Sequence, residues 1–415
     1  MNVILYYKNT FLKAGEMLHS LMADPDDFSA LLDLQVLLIS QIKRCEKNII
    51  RLKSISQQLK ISLRHDRPSK TAAQGIKKKI KATAGRVDEY QHTIFLLKCF
   101  GDGIANIYLD KYALKHTFFN VNDVFTKETA GFITGKEGFH GEWKIVKESL
   151  RKGWPVLLCD ITNVLRHGDV CALFGPDPLL VEVKSSKNRN NRIKRQLQHL
   201  EQLHNFFLND GADTICGVPN VRRRELHVYE INHVNAINEC IERSYINGSS
   251  CMSPERGIHY VCNYYNFNAD ELREIINESS VFFTLNEIKS NDWWGPYYPF
   301  TLSLRPNHLT EFIYGNIFLI VIIDLNVVKD LFFKKGIHAT ILSDADYVLQ
   351  ISRNTETFEG GVARISKNFF LRIPLEFQSL QWFVDEFSLR LDNDIAKAET
   401  GPLIQIPDSW YSAGD

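Results

Sequence analysis

From residue 28 to residue 63 the chain sets Leu31, Leu34, Leu38, Ile42, Cys45, Ile49, Leu52, Ile55, Leu59 and Leu63 at steps of three and four. An apolar stripe of that period lies along one side of an α-helix, and a helix that long must have the stripe covered by something. Asp26 or Asp27 can cap its start. The pattern stops at His65-Asp66-Arg67-Pro68-Ser69, because proline disfavours helix on its amino side. A second helical pattern then runs to about Lys115, so two long helices forming an antiparallel hairpin are expected. Lys77, Lys78, Lys79, Lys81 and Arg86 crowd the start of the second helix. They read first as a solvated face, and second as a grip for a phosphate backbone or an acidic partner.

At 415 residues the chain exceeds what one core usually serves, so two or three domains are expected. Lys plus Arg balance Asp plus Glu at 49 each, which leaves only local clusters to argue for nucleic acid or membrane. The eight cysteines include no C-x-x-C pair, which speaks against a zinc site and for free thiols in a reducing cytoplasm. No export leader is legible at the amino terminus, and the longest apolar run, residues 317–323, falls far short of the roughly 20 residues a membrane span needs. A cytoplasmic protein without membrane contact is expected.

The middle of the chain changes character. Residues 139–152 read as a helix ended by Gly153, and residues 155–161 as a buried strand. Residues 167–174 and 179–185 read as two strands joined by the turn Gly175-Pro176-Asp177-Pro178. A helix over 193–208 and a strand over 225–231 follow. Beyond about Gly248 the pattern is that of a separate α+β region. It comprises a helix at 270–277, an aromatic corner at 293–300, the buried strand at 317–323, strands near 338–351 and 361–373, and a helix at 380–391.

If the turn centres between Pro176 and Asp177, Lys184 lies opposite Asp169 and Glu182 opposite Cys171. Alternation then puts Asp169, Glu182 and Lys184 on one face of the hairpin. Two carboxylates on a half-buried face repel each other and lose solvation unless a cation compensates. Mg²⁺ is well suited to compensate, since it takes a few carboxylate oxygens at about 2.0–2.1 Å and keeps waters and room for a phosphate. Such an ion polarises a phosphodiester and acidifies water, while the Lys184 ammonium orients that water and stabilises the developing charge.

Gly168-Asp169, twelve intervening residues, and Glu182-Val183-Lys184-Ser185 resemble the PD-(D/E)xK signature of restriction-endonuclease-like nucleases, in the order helix, three strands, helix, strand. The resemblance covers about 138–232. It implies that Asp169 and Glu182 are metal ligands with the Val183 carbonyl as a third, and that Lys184 is the catalytic lysine. It also implies a glutamate from the first helix. Archaeal-type Holliday-junction resolvases place theirs eleven residues before the glycine that ends the helix, the position of Glu142 relative to Gly153; Glu148 is the rival. A glutamine after the lysine, as in some branches of the family, falls at Gln198 or Gln202. The sequence departs from the signature at Gly168, where the motif's name has proline. Pro176-Asp177 reads as turn chemistry.

Lys187, Arg189, Arg192, Lys194 and Arg195, with His199 one turn on, form a basic patch beside this hairpin, and Arg222-Arg223-Arg224 a second. Such clusters bind phosphates without reading sequence. His65, His116 and His140 read as core or surface histidines, and the aromatic corner as packing before base stacking. The expected architecture is multidomain, α+β or α/β. A helical hairpin domain spans 1–120, an αβββαβ nuclease core 121–247, and an α+β domain 248–415. The expected function is a Mg²⁺- or Mn²⁺-dependent DNA endonuclease, by analogy an anti-phage or restriction effector, with a protein partner or self-association through the amino-terminal helices. The alternatives are a non-catalytic nucleic-acid-binding or assembly subunit of the same fold, and a coiled-coil interaction protein.

Overall fold

The computed structural model describes the chain except residues 1–2, 67, 119–130, 184–190, 216–217, 224, 265–272, 274, 291–297, 343–345, 354–361 and 401–415. Side chains at 191–197, 218–219, 288–290 and 396–400 are likewise outside the described set. The chain divides into two compact units, Met1–Arg223 with Asn286–Phe318, and Arg224–Leu285 with Leu319–Asp415.

The first unit opens with α1 (Val3–Tyr6), α2 (Lys8–Ala23), α3 (Phe28–His65), α4 (Lys70–Tyr108) and α5 (Lys111–Phe118). Asp27 caps α3 by accepting the Ala30 N–H at 2.9 Å, and Ser69 caps α4 after Pro68. The two long helices pack along each other as expected. Leu31, Leu34, Leu38, Ile42, Cys45, Ile49 and Leu52 are buried, but Ile55 is 40% exposed, so the stripe is covered only toward the base of the hairpin. The second pattern does not run unbroken to Lys115. Leu109 is extended, and Asp110 starts α5 by accepting the Ala113 N–H at 2.8 Å.

Next come α6 (Phe139–Arg151), β1 (Val156–Leu158), a 3-10 turn (Cys159–Ile161), β2 (Val170–Ala172) and β3 (Leu179–Val181). They make an antiparallel sheet in the order β1-β2-β3. The strands are shorter than expected and their register differs. Val170 faces Val181 and Cys171 faces Leu180, so the turn centres between Gly175 and Pro176, one position before the expected centre, and the pairing slips by two. A slip of two leaves every side chain on its expected face, because strand side chains alternate with a period of two. Then α7 (Asn191–Asn209) leads into β4 (Gly211–Ile215) and β5 (Val218–Arg222), a separate two-stranded hairpin. The strand expected at 225–231 does not form. In that stretch the Glu386 carboxylate accepts the His227 and Val228 N–H groups, and the Trp382 indole donates to the Val228 carbonyl, so side chains take main-chain groups that a ladder would have used. The expected αβββαβ order is thus αβββα followed by a hairpin outside the sheet.

The amino-terminal helices are not a body apart. Gln35 of α3 donates to the Val156 carbonyl at 2.9 Å and accepts from the Leu158 N–H at 3.0 Å, so its amide pairs with β1 as a strand would. Glu46 of α3 accepts from the Ile133 and Thr134 N–H groups, and Asp102 of α4 from those of Asn163 and Val164. The boundary expected at 120 therefore falls inside one unit, and 286–318 returns to that same unit instead of staying with the carboxyl-terminal region.

The second unit holds α8 (Val234–Asn247) and a sheet of β6 (Ser249–Glu255), β7 (Ile258–Tyr264), β9 (Ile317–Asp324, most of it in this unit) and β8 (Ser280–Thr284), in that order. β9 is the apolar run expected as a buried strand. An antiparallel sheet of β10 (His338–Ile341), β11 (Tyr347–Ser352) and β12 (Val362–Ser366) follows, with the helix Leu380–Thr400. Tyr260, Trp382, Phe383, Phe377 and Phe332 fill the core. The boundary expected at 247 also moves, since α8 lies in this unit. The helix expected at 270–277 and most of the aromatic corner lie outside the described residues. No helix among the described residues is long and apolar enough to cross a membrane.

Candidate active site

Three carboxylates meet on one ammonium. Lys136 Nζ lies 2.9 Å from Glu142 Oε2, 2.8 Å from Asp160 Oδ2 and 3.1 Å from Asp169 Oδ1. Each comes from a different local device. Glu142 is on the first turn of α6, and a Cβ on Gly138 would lie 2.8 Å from its Oε1, so the glycine leaves the space the carboxylate needs. Asp160 sits in the 3-10 turn that ends β1. Asp169 precedes β2 and is pinned across the sheet. Its N–H donates to the Val181 carbonyl, its carbonyl accepts from Cys159, and its Oδ2 accepts the Val183 N–H at 2.9 Å. Gly168 before it has φ 75°, a conformation closed to a proline held near −65°, which accounts for glycine where the signature's name has proline.

Of the residues expected at the site, Glu142 and Asp169 are brought together, and Val183 meets Asp169 through its N–H, not through the carbonyl expected as a ligand. Glu148 points elsewhere, 52% exposed and paired with Lys144. Glu182 is half-buried and is not among the three carboxylates on Lys136. It lines a groove of about 690 Å³ with Leu180, Leu200, Leu203 and His204, between β3 and α7. Gln198 and Gln202 are exposed on α7, and His199 stacks on His167. Lys184, Lys187 and Arg189, and the side chains of Arg192, Lys194 and Arg195, lie outside the described residues. In the second basic cluster Arg223 is committed, pairing with Asp177 at 2.8 Å and Asp210 at 3.2 Å. That fixes Asp177 in the turn. His116 packs on Phe206 and burial lowers its pKa to about 3, as suits a core histidine.

Lys136 and Asp160 are not singled out by the sequence. Both lie in turns without periodicity, although an aspartate directly after the apolar run Val156-Leu157-Leu158-Cys159 is a mark that strand-end chemistry leaves. Lys98 of α4 is a third such residue. It is 6% exposed, and the strongest charge acting on it is the Asp160 carboxylate.

Burial pushes the Glu142 carboxyl up, and the charges of Asp169 and Asp160 push the same way against the Lys136 hydrogen bond. Burial alone would drag the Lys136 ammonium down, but its bonds to Asp160 and Glu142 outweigh that and hold it well above the lysine range. Three carboxylates on one ammonium leave two negative charges in surplus, at side chains only 2%, 14% and 16% exposed. That surplus and the hard oxygen donors suit a divalent cation such as Mg²⁺. The spacing is the ammonium's own: among the described residues no three His, Cys, Asp or Glu side chains stand as ligands of one metal ion. Oxygens 2.8–3.1 Å from Nζ would each have to close by about 0.7–1.1 Å to meet such an ion.

Comparison with protein families, with curated proteins and with solved structures finds no match for this chain.

Proposed function

We propose that the chain is a divalent-metal-dependent DNA endonuclease of the PD-(D/E)xK kind, hydrolysing phosphodiester bonds, and by analogy an effector of anti-phage defence or restriction. One observation carries the reading. Asp169, singled out on the hairpin, and Glu142, which the resemblance implies on the first helix, converge on a single cation position. Chance spacing gives no reason for a carboxylate on α6 and one before β2 to share a partner, whereas a cation-binding centre requires it.

In this reading Glu142, Asp160 and Asp169 hold Mg²⁺ or Mn²⁺, with Glu182 and the Val183 carbonyl as the further donors the resemblance implies. The ion, when bound, supplies polarisation of the scissile phosphate and a more acidic water. Asp169, fixed by three main-chain bonds, keeps its carboxylate aimed. Lys184, next along the chain from Val183, would bring the ammonium that orients the attacking water. DNA would be gripped through its phosphates by the basic residues from Lys187 to Arg195.

A second reading, a nuclease-like binding or assembly subunit without catalysis, draws on the internal ammonium, which already neutralises part of the carboxylate charge. One experiment separates the two. Supercoiled plasmid and linear single- and double-stranded DNA are incubated with the protein in Mg²⁺, Mn²⁺ or EDTA, beside Lys184→Ala. Metal-dependent cleavage that falls at least about a hundredfold in a folded Lys184→Ala is expected of the nuclease. Salt-sensitive DNA binding by both proteins without cleavage would support the binding subunit instead.

A further inference from the structure

We infer that Lys136 is an internal cation that holds Glu142, Asp160 and Asp169 together in the metal-free protein, and that a divalent ion binds by displacing it. The inference rests on the metal-dependent reading above and adds one residue to it, Lys136 as the occupant of the metal position.

The geometry leaves little choice of position. Each carboxylate spends one oxygen on the same nitrogen, at 2.8, 2.9 and 3.1 Å. The point common to all three is therefore filled by Nζ. An ion that needs oxygens at about 2.0–2.1 Å can use all three only by taking that point. The unlike exposures show which partner is free to leave. Glu142 is buried in its helix turn and Asp169 is tied across the sheet, whereas Lys136 is 30% exposed on a turn beside Gly135, whose φ is 86°. The carboxylates stay and the lysine moves.

Charge gives an independent reason for a stronger cation. One ammonium against three carboxylates leaves a net charge of about −2 in a half-buried place, where unpaired charge is costly. Lys98, an ammonium more than nine-tenths buried on α4 on which Asp160 is the strongest charge, lowers that surplus to about one negative charge without removing it.

The test follows Lys136 itself in the full-length chain. Lysines are acylated with an N-hydroxysuccinimide ester with and without saturating Mn²⁺, and the extent at Lys136 is read by mass spectrometry. Mn²⁺ binding is followed by calorimetry for the native protein, Lys136→Met, Asp160→Asn and Asp169→Asn. The expected results are a severalfold rise in Lys136 labelling with Mn²⁺, at least tenfold tighter Mn²⁺ binding by Lys136→Met, and at least tenfold weaker binding by Asp160→Asn. The labelling arm uses the native chain, so it stands even where Lys136→Met does not fold. Mn²⁺ binding that is lost in Asp169→Asn while Lys136 labelling stays constant would overturn the displacement and leave the metal-dependent reading intact. Binding by Lys136→Met alone would mean that the ion cannot displace the ammonium, which overturns the displacement while leaving the three carboxylates able to hold a metal. No binding by any of the four proteins would remove both.

Discussion

Asp102 carries its charge where water barely reaches, 2% exposed on α4. It accepts the Asn163 and Val164 N–H groups at 2.6 and 3.0 Å and the Asn163 side-chain amide at 2.8 Å. Burial raises its pKa from 3.8 to about 6 in spite of those bonds. A carboxyl whose folded pKa lies above its unfolded value favours the fold while it is protonated. Its contribution is therefore complete below about pH 4 and is lost as pH rises through about 6. A shift near two units corresponds to about 3 kcal/mol. In urea unfolding from pH 4 to 7, the difference in stability between the native protein and Asp102→Asn should narrow by about that amount, and a difference independent of pH would show that Asp102 titrates alike in both states. Asp102 was illegible in the sequence for the same reason as Lys136 and Asp160: nothing local marks a side chain whose partners lie in another element. Asp169 was legible because it sits on a proline-punctuated hairpin whose alternation can be counted, and Glu142 only through the resemblance, which places a glutamate at a set distance before the helix-ending glycine.

Helix α4 shows what a single glycine does for an element. A Cβ on Gly101 would stand 2.0 Å from the Ile161 carbonyl oxygen, a main-chain atom of the turn that carries Asp160. Gly101→Ala should therefore push the helix off that turn and cost about 3 kcal/mol or more, as overpacking against backbone does. Gly75, on the same helix, has nothing within 4 Å of an added Cβ. Gly75→Ala should stabilise by up to about 1 kcal/mol, through helix propensity alone. Denaturant midpoints moving in opposite directions would check the pair, and equal midpoints would refute the close approach at Gly101. The elements themselves were largely readable. The stripe of α3, its cap at Asp27, α6, and the hairpin of β2 and β3 all follow from period and turn chemistry. The 225–231 segment misled because its alternation is real, yet Glu386 and Trp382 take its main-chain groups from a distance in sequence no pattern discloses. The hairpin register was two residues off because the loop 173–178 that joins the strands centres between Gly175 and Pro176 instead of between Pro176 and Asp177.

At the scale of the molecule, the same logic decides what can fold alone. A chain read as three successive domains predicts that residues 121–247 make an independent nuclease core. In the structure, Gln35, Glu46 and Asp102 of the long helices satisfy six main-chain groups of that segment, at Ile133, Thr134, Val156, Leu158, Asn163 and Val164. The same helices pack on the 3-10 turn that holds Ile161, which is fully buried. Uncovering that side chain forfeits about 1.5–3 kcal/mol, and losing the six polar contacts adds about 0.5–1.5 kcal/mol each. The sum rivals the 5–15 kcal/mol that holds a whole domain together. A fragment of residues 121–247 should therefore lack dispersed amide resonances and cooperative unfolding, while one spanning 1–223 co-expressed with 286–318 should show both. A folded, cooperative 121–247 fragment would mean that the helices are an attachment to that segment. Failure of that fragment beside success of the larger pair would mean that the carboxylate centre at Lys136 exists only because the helical hairpin holds its turns in place.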